Sequence, residues 1–362
     1  MGPETARTIA LDQDGWAVLT LDQTLLPHEE RWIRLERWTD VAEAISTMRV
    51  RGAPLIGAAA AYGVALAARE DPSDGALDRA AATLLGTRPT AVNLRWALER
   101  TRRALGRVPE EEREAAAYHE AAAICEADVA ANRSIGEHGG KLLRALAARN
   151  PDRPVRVLTH CNAGRLATVA WGTATAPVYL AHAEGLPVHV WVSETRPRSQ
   201  GLLTAWELAR AGVAHTVVTD SACGHLLARG EVDVCLVGTD RTTARGDVAN
   251  KIGTYPKALA AREAGVPFYV AAPSSSIDWS LASGAAIPIE ERDGDEVRVV
   301  GGVVDGARRS ARILDRATDV ANPAFDITPA RLITGLITER GVALATRAAL
   351  ADLFPEHADA SS

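Results

Sequence analysis

PVRVLTHCNAG, residues 154–164, decides the fold: a β-branched run, Val155–Thr159, leads into a small polar turn, His160-Cys161-Asn162-Ala163-Gly164. Similar runs follow at Val188–Ser193, Thr216–Thr219, Asp233–Val237 and Pro267–Ala271. The stretches between them, Ala163–Trp171, Gly201–Ala211, Cys223–Gly230 and Asn250–Gly265, read as helices. This alternation predicts a parallel sheet with helices on both faces.

Upstream the texture changes, and Asp152-Arg153-Pro154 is a plausible boundary. Thr39-Asp40 can cap a helix over Val41–Val50. Pro54–Arg69 is Ala-rich and reads as a closely packed helix. Asn93–Leu105 and Glu110–Asn150 also read as helical, the latter punctuated by Gly136, Gly139 and Gly140. The first 30 residues carry short alternating segments such as Trp16–Leu19, enough for a small hairpin or sheet. Downstream, Gly301–Asp319 reads as a Gly- and Arg-rich loop. Thr328-Pro329 reads as the cap and first residue of a final helix. The expectation is an α/β protein with a mainly helical N-terminal domain, residues 1–150, and a parallel-sheet domain, residues 151–362. The total of 362 residues suits two domains of roughly 150 each.

Composition narrows the classes. Hydrophobic residues at 47% and charged residues at 24% exclude a disordered chain. A net charge of −6 argues against general attraction to nucleic acid or anionic membranes. The longest apolar stretch, Ala53 to Ala68, is shorter than the roughly 20 residues of a membrane span. The N-terminal residues lack the basic-then-apolar run of a signal peptide, and the four cysteines do not form a disulfide-framework pattern, so a cytoplasmic location is expected.

Ligands of open parallel sheets bind beyond the carboxyl ends of the strands. Those ends carry His160-Cys161-Asn162-Ala163-Gly164, Glu194 through Gly201, Asp220-Ser221, Gly238-Thr239-Asp240-Arg241 and Pro273 through Ser276. Cys161, at the junction of strand and helix, is either an activated thiol at a helix N-terminus or a buried structural cysteine. Asp240 is either a proton donor or acceptor, or a turn residue paired with Arg241. Asn250-Lys251, opening the next helix, can hold an anion with the help of helix-terminal N–H groups, or Lys251 is solvated. Arg51-Gly52-Ala53, ahead of the Ala-rich helix, offers a guanidinium for phosphate and a glycine that lets backbone approach a ligand, or Arg51 is a surface arginine. Arg88, in Thr87-Arg88-Pro89-Thr90-Ala91-Val92-Asn93, is a second arginine placed before a helix.

Other chemistries have no motif here. No G-x-G-x-x-G follows a strand, Gly140-Lys141-Leu142 does not fit a P-loop, and no G-x-S-x-G occurs. H-E-x-x-H and C-x-x-C are both lacking. No metal or redox cofactor is therefore indicated. His160 and Cys161 are neighbours on a strand, which point to opposite faces and make a poor catalytic pair.

With these residues in place, the chain resembles the methylthioribose-1-phosphate isomerase group of the initiation factor 2B-like proteins. The matching segments run nearly end to end and include LDQTLLP (21–27), VRGAPLIGAAAAYG (50–63), TRPTAVNLRWAL (87–98), THCNAG (159–164), ETRPRSQG (194–201), LTAWEL (203–208), VGTDR (237–241), GDVANKIGTY (246–255), PFYVAAP (267–273), IPIEER (287–292) and NPAFDITP (322–329). The resemblance implies a helical N-terminal domain, a Rossmann-like C-terminal domain and a homodimer. It implies an aldose 1-phosphate to ketose 1-phosphate isomerase without cofactor. Carried over residue by residue, it implies Cys161 as catalytic cysteine and Asp240 as proton donor. Arg51, Gly52, Ala53 and Arg88 become phosphate contacts, and Gln200, Asn250 and Lys251 further substrate contacts. Thr239 stands where alanine is common, and the 301–319 segment is unusually Arg-rich. These departures bear on the sugar's 5-substituent, because related isomerases act on 5-deoxyribose 1-phosphate or ribose 1,5-bisphosphate. A non-catalytic regulatory subunit is the competing class.

Overall fold

The computed structural model describes residues 7–88 and 91–358. Pro89 and Thr90 of the TRPT segment lie outside the described residues, as do residues 1–6 of the N-terminal stretch. The chain opens with an antiparallel sheet of β1 (Ile9–Leu11), β2 (Val18–Leu21) and β3 (Trp32–Leu35). Five helices follow: α1 (Trp38–Ser46), α2 (Ala53–Glu70), α3 (Asp74–Thr87), α4 (Val92–Leu105) and α5 (Arg113–Arg149). α1 starts earlier than Thr39-Asp40 suggests, because the Asp40 side chain turns back to accept the N–H groups of Glu36 and Arg37. α2 is buried on nearly every side, since its Ala and Gly residues let neighbouring helices close around it. Its apolar all-round character belongs to a central core helix. α3 has a Ser73 cap but only three buried residues, so it has little apolar periodicity for a sequence reading to find.

α5 bridges the two halves of the molecule. Its first half packs through Ala117, Ala121 and Ile124 into the core around α2. Its second half packs Ile135 and Leu143 against the large sheet. The glycines that punctuate it do not break it; Gly139 lies where a Cβ would strike the Pro177 ring. Gly136 and Gly139 allow close approach to the next helix, α6 (Ala176–Ala183), preceded by the strand β4 (Val155–His160).

The remaining strands and helices alternate: β5 (Val188–Ser193), α7 (Gly201–Arg210), β6 (Ala214–Val218), α8 (Ala222–Ala228), β7 (Val234–Val237), β8 (Arg241–Thr243), β9 (Val248–Lys251), α9 (Thr254–Glu263), β10 (Phe268–Ala271) and β11 (Ile277–Asp278). The last elements are α10 (Asp295–Arg298), β12 (Val299–Val304), β13 (Ala307–Arg312), β14 (Phe325–Thr328), β15 (Gly335–Thr338), β16 (Gly341–Ala343) and α11 (Arg347–Leu353). The large sheet has the order β16-β15-β10-β7-β4-β5-β6, parallel except for β16. This is the doubly wound, Rossmann-like architecture. From β4 the chain winds outward through β5 and β6, then returns to β7 on the other side of β4 and winds away through β10 and β15. The switch point therefore lies between β4 and β7, where such sheets place their ligands. A second small sheet, β11-β8-β9-β14, sits beyond it.

Four stretches differ from the sequence reading. Residues 163–171 form a short 3-10 turn, Arg165–Ala167, and loop rather than a helix. Here the Thr168 hydroxyl bonds to Ala170 O, and the Glu207 carboxylate takes the N–H groups of Arg165 and Leu166. Asn250 and Lys251 end β9 instead of opening a helix, because they pair with Phe325 and Asp326 of β14. The helix begins after Gly253, whose φ of 100° ends the strand. Gly301–Asp319 contains most of the β12–β13 hairpin, closed by Asp305-Gly306 with φ of 50° and 74°. That is the D-G signature of a tight hairpin turn. Thr328 ends β14, and the final helix is α11, capped by Thr346. No helix among the described residues is long and apolar enough to cross a membrane.

Candidate active site

β4 delivers Cys161 and β7 delivers Gly238-Thr239-Asp240 to the two sides of the switch point. Both residues line one cleft that encloses about 940 Å³, open solvent at its mouth included. Arg51, Gly52, Ala53, Arg88, Gln200, Asn250 and Lys251 line the same cleft, so all nine residues singled out in the sequence converge there. They come from six separate segments, the ends of β4 and β7 among them. α2 contributes its N-terminal approach, the end of α3 contributes Arg88, the start of α7 contributes Gln200, and β9 contributes Asn250 and Lys251. Ile287, Pro288 and Phe325 add apolar surface.

Cys161 is not at a helix N-terminus. It sits in left-handed backbone, φ 63°, immediately after β4, and is 8% exposed. Its N–H donates to Thr195 Oγ1 at 2.8 Å, and its carbonyl accepts from Thr204 Oγ1 at 2.8 Å. Without helix-end N–H groups to stabilise a thiolate, burial dominates and pushes the thiol pKa up, against the pull of Arg51 and Lys251. Burial likewise raises the Asp240 carboxyl, opposed by Lys251, Arg88 and Arg51. Both groups therefore hold protons more strongly than they would in water. The Lys251 ammonium, 9% exposed and 4.5 Å from the Phe325 ring centroid, is pushed down by burial and held up by Cys161 and Asp240. His160 lines the cleft as a neutral imidazole, its pKa lowered to about 3 by burial and by Lys257. Its Nε2–H donates to the Ile252 carbonyl at 2.8 Å.

The cationic wall is braced. Arg51 donates to Asn162 Oδ1 and, at 2.8 Å, to the Asn162 carbonyl. A guanidinium has five N–H donors, so three remain for a ligand. Arg88 lies 3.5 Å from Glu290, and its buried Nε has no hydrogen-bond partner among the described residues. Gln200 Oε1 is a second buried atom without one. A phosphorylated sugar supplies what these atoms need: phosphate oxygens for guanidinium N–H and hydroxyl donors for an amide oxygen. Gly52 has φ 98°, and a Cβ there would be driven into the Ala167 backbone. Gly52→Ala is expected to cost about 2 kcal/mol or more of stability, through strain and overpacking, read as a lowered denaturant midpoint. An unchanged midpoint would show that the α2 approach is looser than described.

Several contributors escaped the sequence reading. Asn162 joins Arg51 to Glu207, whose carboxylate accepts from Asn162 Nδ2 at 2.8 Å and from Tyr179 Oη at 3.1 Å. Thr195 and Thr204 hold the backbone of Cys161. Asn162, Thr195, Thr204 and Glu207 each lie inside a quoted motif, but nothing in spacing alone separates a bracing residue from its neighbours. Among the described residues, no three His, Cys, Asp or Glu side chains gather as a metal site would require.

This geometry defines a cleft on a doubly wound sheet, walled by guanidinium and ammonium groups and holding a thiol and a carboxyl whose pKa values burial raises. The chain belongs to the initiation factor 2 subunit family, whose sequence profile matches residues 49–344. Among its relatives, the methylthioribose-1-phosphate isomerase of Rhodospirillum centenum is 59% identical over 359 residues, covering 98% of this chain and 96% of the relative. That of Acidiphilium cryptum is 60% identical over 350 residues, covering 96% and 95%. Among solved structures, 5-methylthioribose 1-phosphate isomerase from Pyrococcus horikoshii superposes with a TM-score of 0.82 at 40% identity, covering 97% of this chain and 96% of its own. A translation initiation factor eIF-2B delta subunit from A. fulgidus superposes with a TM-score of 0.80 at 39% identity, covering 97% and 100%.

Proposed function

We propose that this protein is an aldose–ketose isomerase that converts 5-methylthioribose 1-phosphate into 5-methylthioribulose 1-phosphate in methionine salvage. The observation that carries this reading is the placement of Cys161 and Asp240 at the ends of neighbouring strands, in one cleft walled by Arg51, Arg88 and Lys251. The isomerase relatives at 59% and 60% identity support it. The division of labour is between a helical domain of residues 1–150, which brings Arg51, Gly52, Ala53 and Arg88, and a catalytic domain of residues 151–362.

The chemistry follows from the substrate. Its anomeric oxygen carries phosphate, so the sugar cannot open to a free aldehyde. Asp240 gives its proton to the ring oxygen as the C1–ring oxygen bond breaks. Hydrogen then passes from C2 to C1, and the 2-hydroxyl gives up its proton, which restores the acid. Cys161 takes the second acid–base position beside the migrating hydrogen. Whether that hydrogen moves as a hydride or as a proton that the Cys161 thiolate takes from C2 and returns to C1, C2 is oxidised as C1 is reduced in the same molecule, so no external redox partner is consumed.

Arg51 provides a direct check on phosphate recognition. Charge-assisted hydrogen bonds contribute about 1.5–3 kcal/mol each. Arg51→Ala is therefore expected to raise KM for the phosphorylated sugar at least about tenfold, and an unchanged KM would remove Arg51 from phosphate binding. The reading also has the protein act in the cytoplasm as a homodimer. Light scattering is expected to give twice the chain mass of 38.3 kDa; a single-chain mass would reject the dimer.

Incubation of the purified protein with 5-methylthioribose 1-phosphate, 5-deoxyribose 1-phosphate and ribose 1,5-bisphosphate, followed by NMR, tests the function. Ketose is expected to form fastest from the methylthio sugar. A faster ketose signal from either of the others would reassign the substrate. The relative from A. fulgidus named as an eIF-2B delta subunit keeps a second reading in view, a regulatory subunit without catalysis. Ketose from none of the three sugars would favour it.

A further inference from the structure

Thr195 is buried completely, yet this β-branched residue holds left-handed backbone at φ 64°. Such a conformation is a genuine outlier for a residue of this shape and persists only where the surroundings over-determine it. Here they do. The Thr195 N–H donates to Asp220 Oδ1 at 2.9 Å, and the next N–H, of Arg196, donates to Asp220 Oδ2 at 2.8 Å. Ser193 Oγ also donates to Asp220, and the Lys257 ammonium lies 3.7 Å from it. The Thr195 hydroxyl donates to Ser193 O at 3.0 Å and accepts the N–H of Cys161 at 2.8 Å. Two left-handed residues from neighbouring strand ends are thus joined by one hydroxyl.

A glycine would reach this backbone conformation without strain, so the backbone alone does not call for threonine. The hydroxyl does: among the described residues it is the one acceptor of the Cys161 N–H, which is buried at the mouth of β4. Thr204 fixes the carbonyl side of the same residue. With both peptide groups held, the Cα–Cβ bond that carries the thiol is fixed.

We infer that Thr195 is a positioning residue for Cys161, its hydroxyl holding the cysteine backbone in the conformation that aims the thiol into the cleft. This rests on Cys161 acting in the reaction proposed above. Asp220, which touches Thr195 only through its N–H, sets the turn on which the hydroxyl stands.

Two substitutions separate the hydroxyl from the backbone. Thr195→Gly keeps φ 64° without strain and removes the hydroxyl; Thr195→Ser keeps the hydroxyl and removes only the methyl. Two readouts are measured in each: the kcat and KM of isomerisation, and the rate at which iodoacetamide alkylates Cys161, followed by peptide mass spectrometry. The glycine variant is expected to lose ten- to a hundredfold in kcat with KM changed less than about threefold, and to change the alkylation rate at least about threefold. The serine variant is expected to stay within about threefold of the parent in both. Equal losses in the two variants, or no change in the glycine variant, would overturn the assignment. The alkylation rate keeps the test independent of the substrate: a parent protein that isomerises none of the sugars defeats the functional reading, while the contrast between the variants still decides the role of Thr195.

Discussion

Asp240→Asn is expected to fold as the parent does and to lose at least about a hundredfold in kcat. Asparagine preserves shape and volume, and the backbone that holds residue 240 is untouched, because its N–H donates to the Ala249 carbonyl at 3.0 Å. What disappears is the transferable proton. A positioned general acid contributes about 10²–10⁴-fold, and a hundredfold corresponds to about 2.7 kcal/mol of barrier. The pH profile gives the loss a signature. Burial raises the Asp240 carboxyl above its ordinary value, so the protonated, acid-competent form is present at low pH and is drained as pH rises through that raised value. The parent is expected to show a falling alkaline limb in kcat/KM that the asparagine variant lacks. Near-parental turnover, or an alkaline limb that survives the substitution, would remove Asp240 from proton transfer.

Cys161→Ser is expected to lose at least about a hundredfold as well, for a different reason. Serine keeps both backbone bonds of residue 161, to Thr195 and Thr204, so the turn should survive. A serine hydroxyl, however, gives up its proton far less readily than even a thiol whose pKa is raised by burial. The parent should lose activity on alkylation, and faster as pH rises, since the thiolate is the nucleophile. Bound substrate should protect it. The other three cysteines, Cys125, Cys223 and Cys235, are buried at 1% exposure or less, so inactivation by slow alkylation reports on residue 161. A serine variant that turns over like the parent would reduce Cys161 to a structural residue.

The strand ends were the legible part of this protein. β-branched runs mark the strands because branched side chains suit a pleated, buried surface, and polar residues after such runs mark the ligand edge of a parallel sheet. That is why Cys161 and Asp240 stand out before any coordinates are known. Three of the four misread stretches share a cause: long-range pairing outweighs local preference. Asn250 and Lys251 precede a genuine helix, but β14, more than seventy residues later, draws them into a strand. Thr328-Pro329 imitates a helix start, but the same pairing claims Thr328 opposite Val248, and Pro329 leads only into a 3-10 turn, Ala330–Leu332. Residues 163–171 have helical composition, yet the Glu207 carboxylate, supplied by α7, captures the N–H groups of Arg165 and Leu166. The Asp305-Gly306 turn was readable locally and was hidden by its arginine-rich flanks. The bracing of Cys161 by Thr195 depends on two left-handed residues meeting across strand ends, which no linear pattern displays.

The most direct measurement is a crystal structure of Asp240→Asn with 5-methylthioribose 1-phosphate bound, since the slowed variant should hold the unconverted sugar. The account predicts the sugar ring between Cys161 Sγ and the residue 240 amide, that amide within hydrogen-bonding distance of the ring oxygen, and the phosphate against Arg51 and Arg88. A sugar phosphate bound elsewhere on the chain, or bound in the cleft with neither residue within reach of its C1–C2–ring oxygen unit, would contradict it.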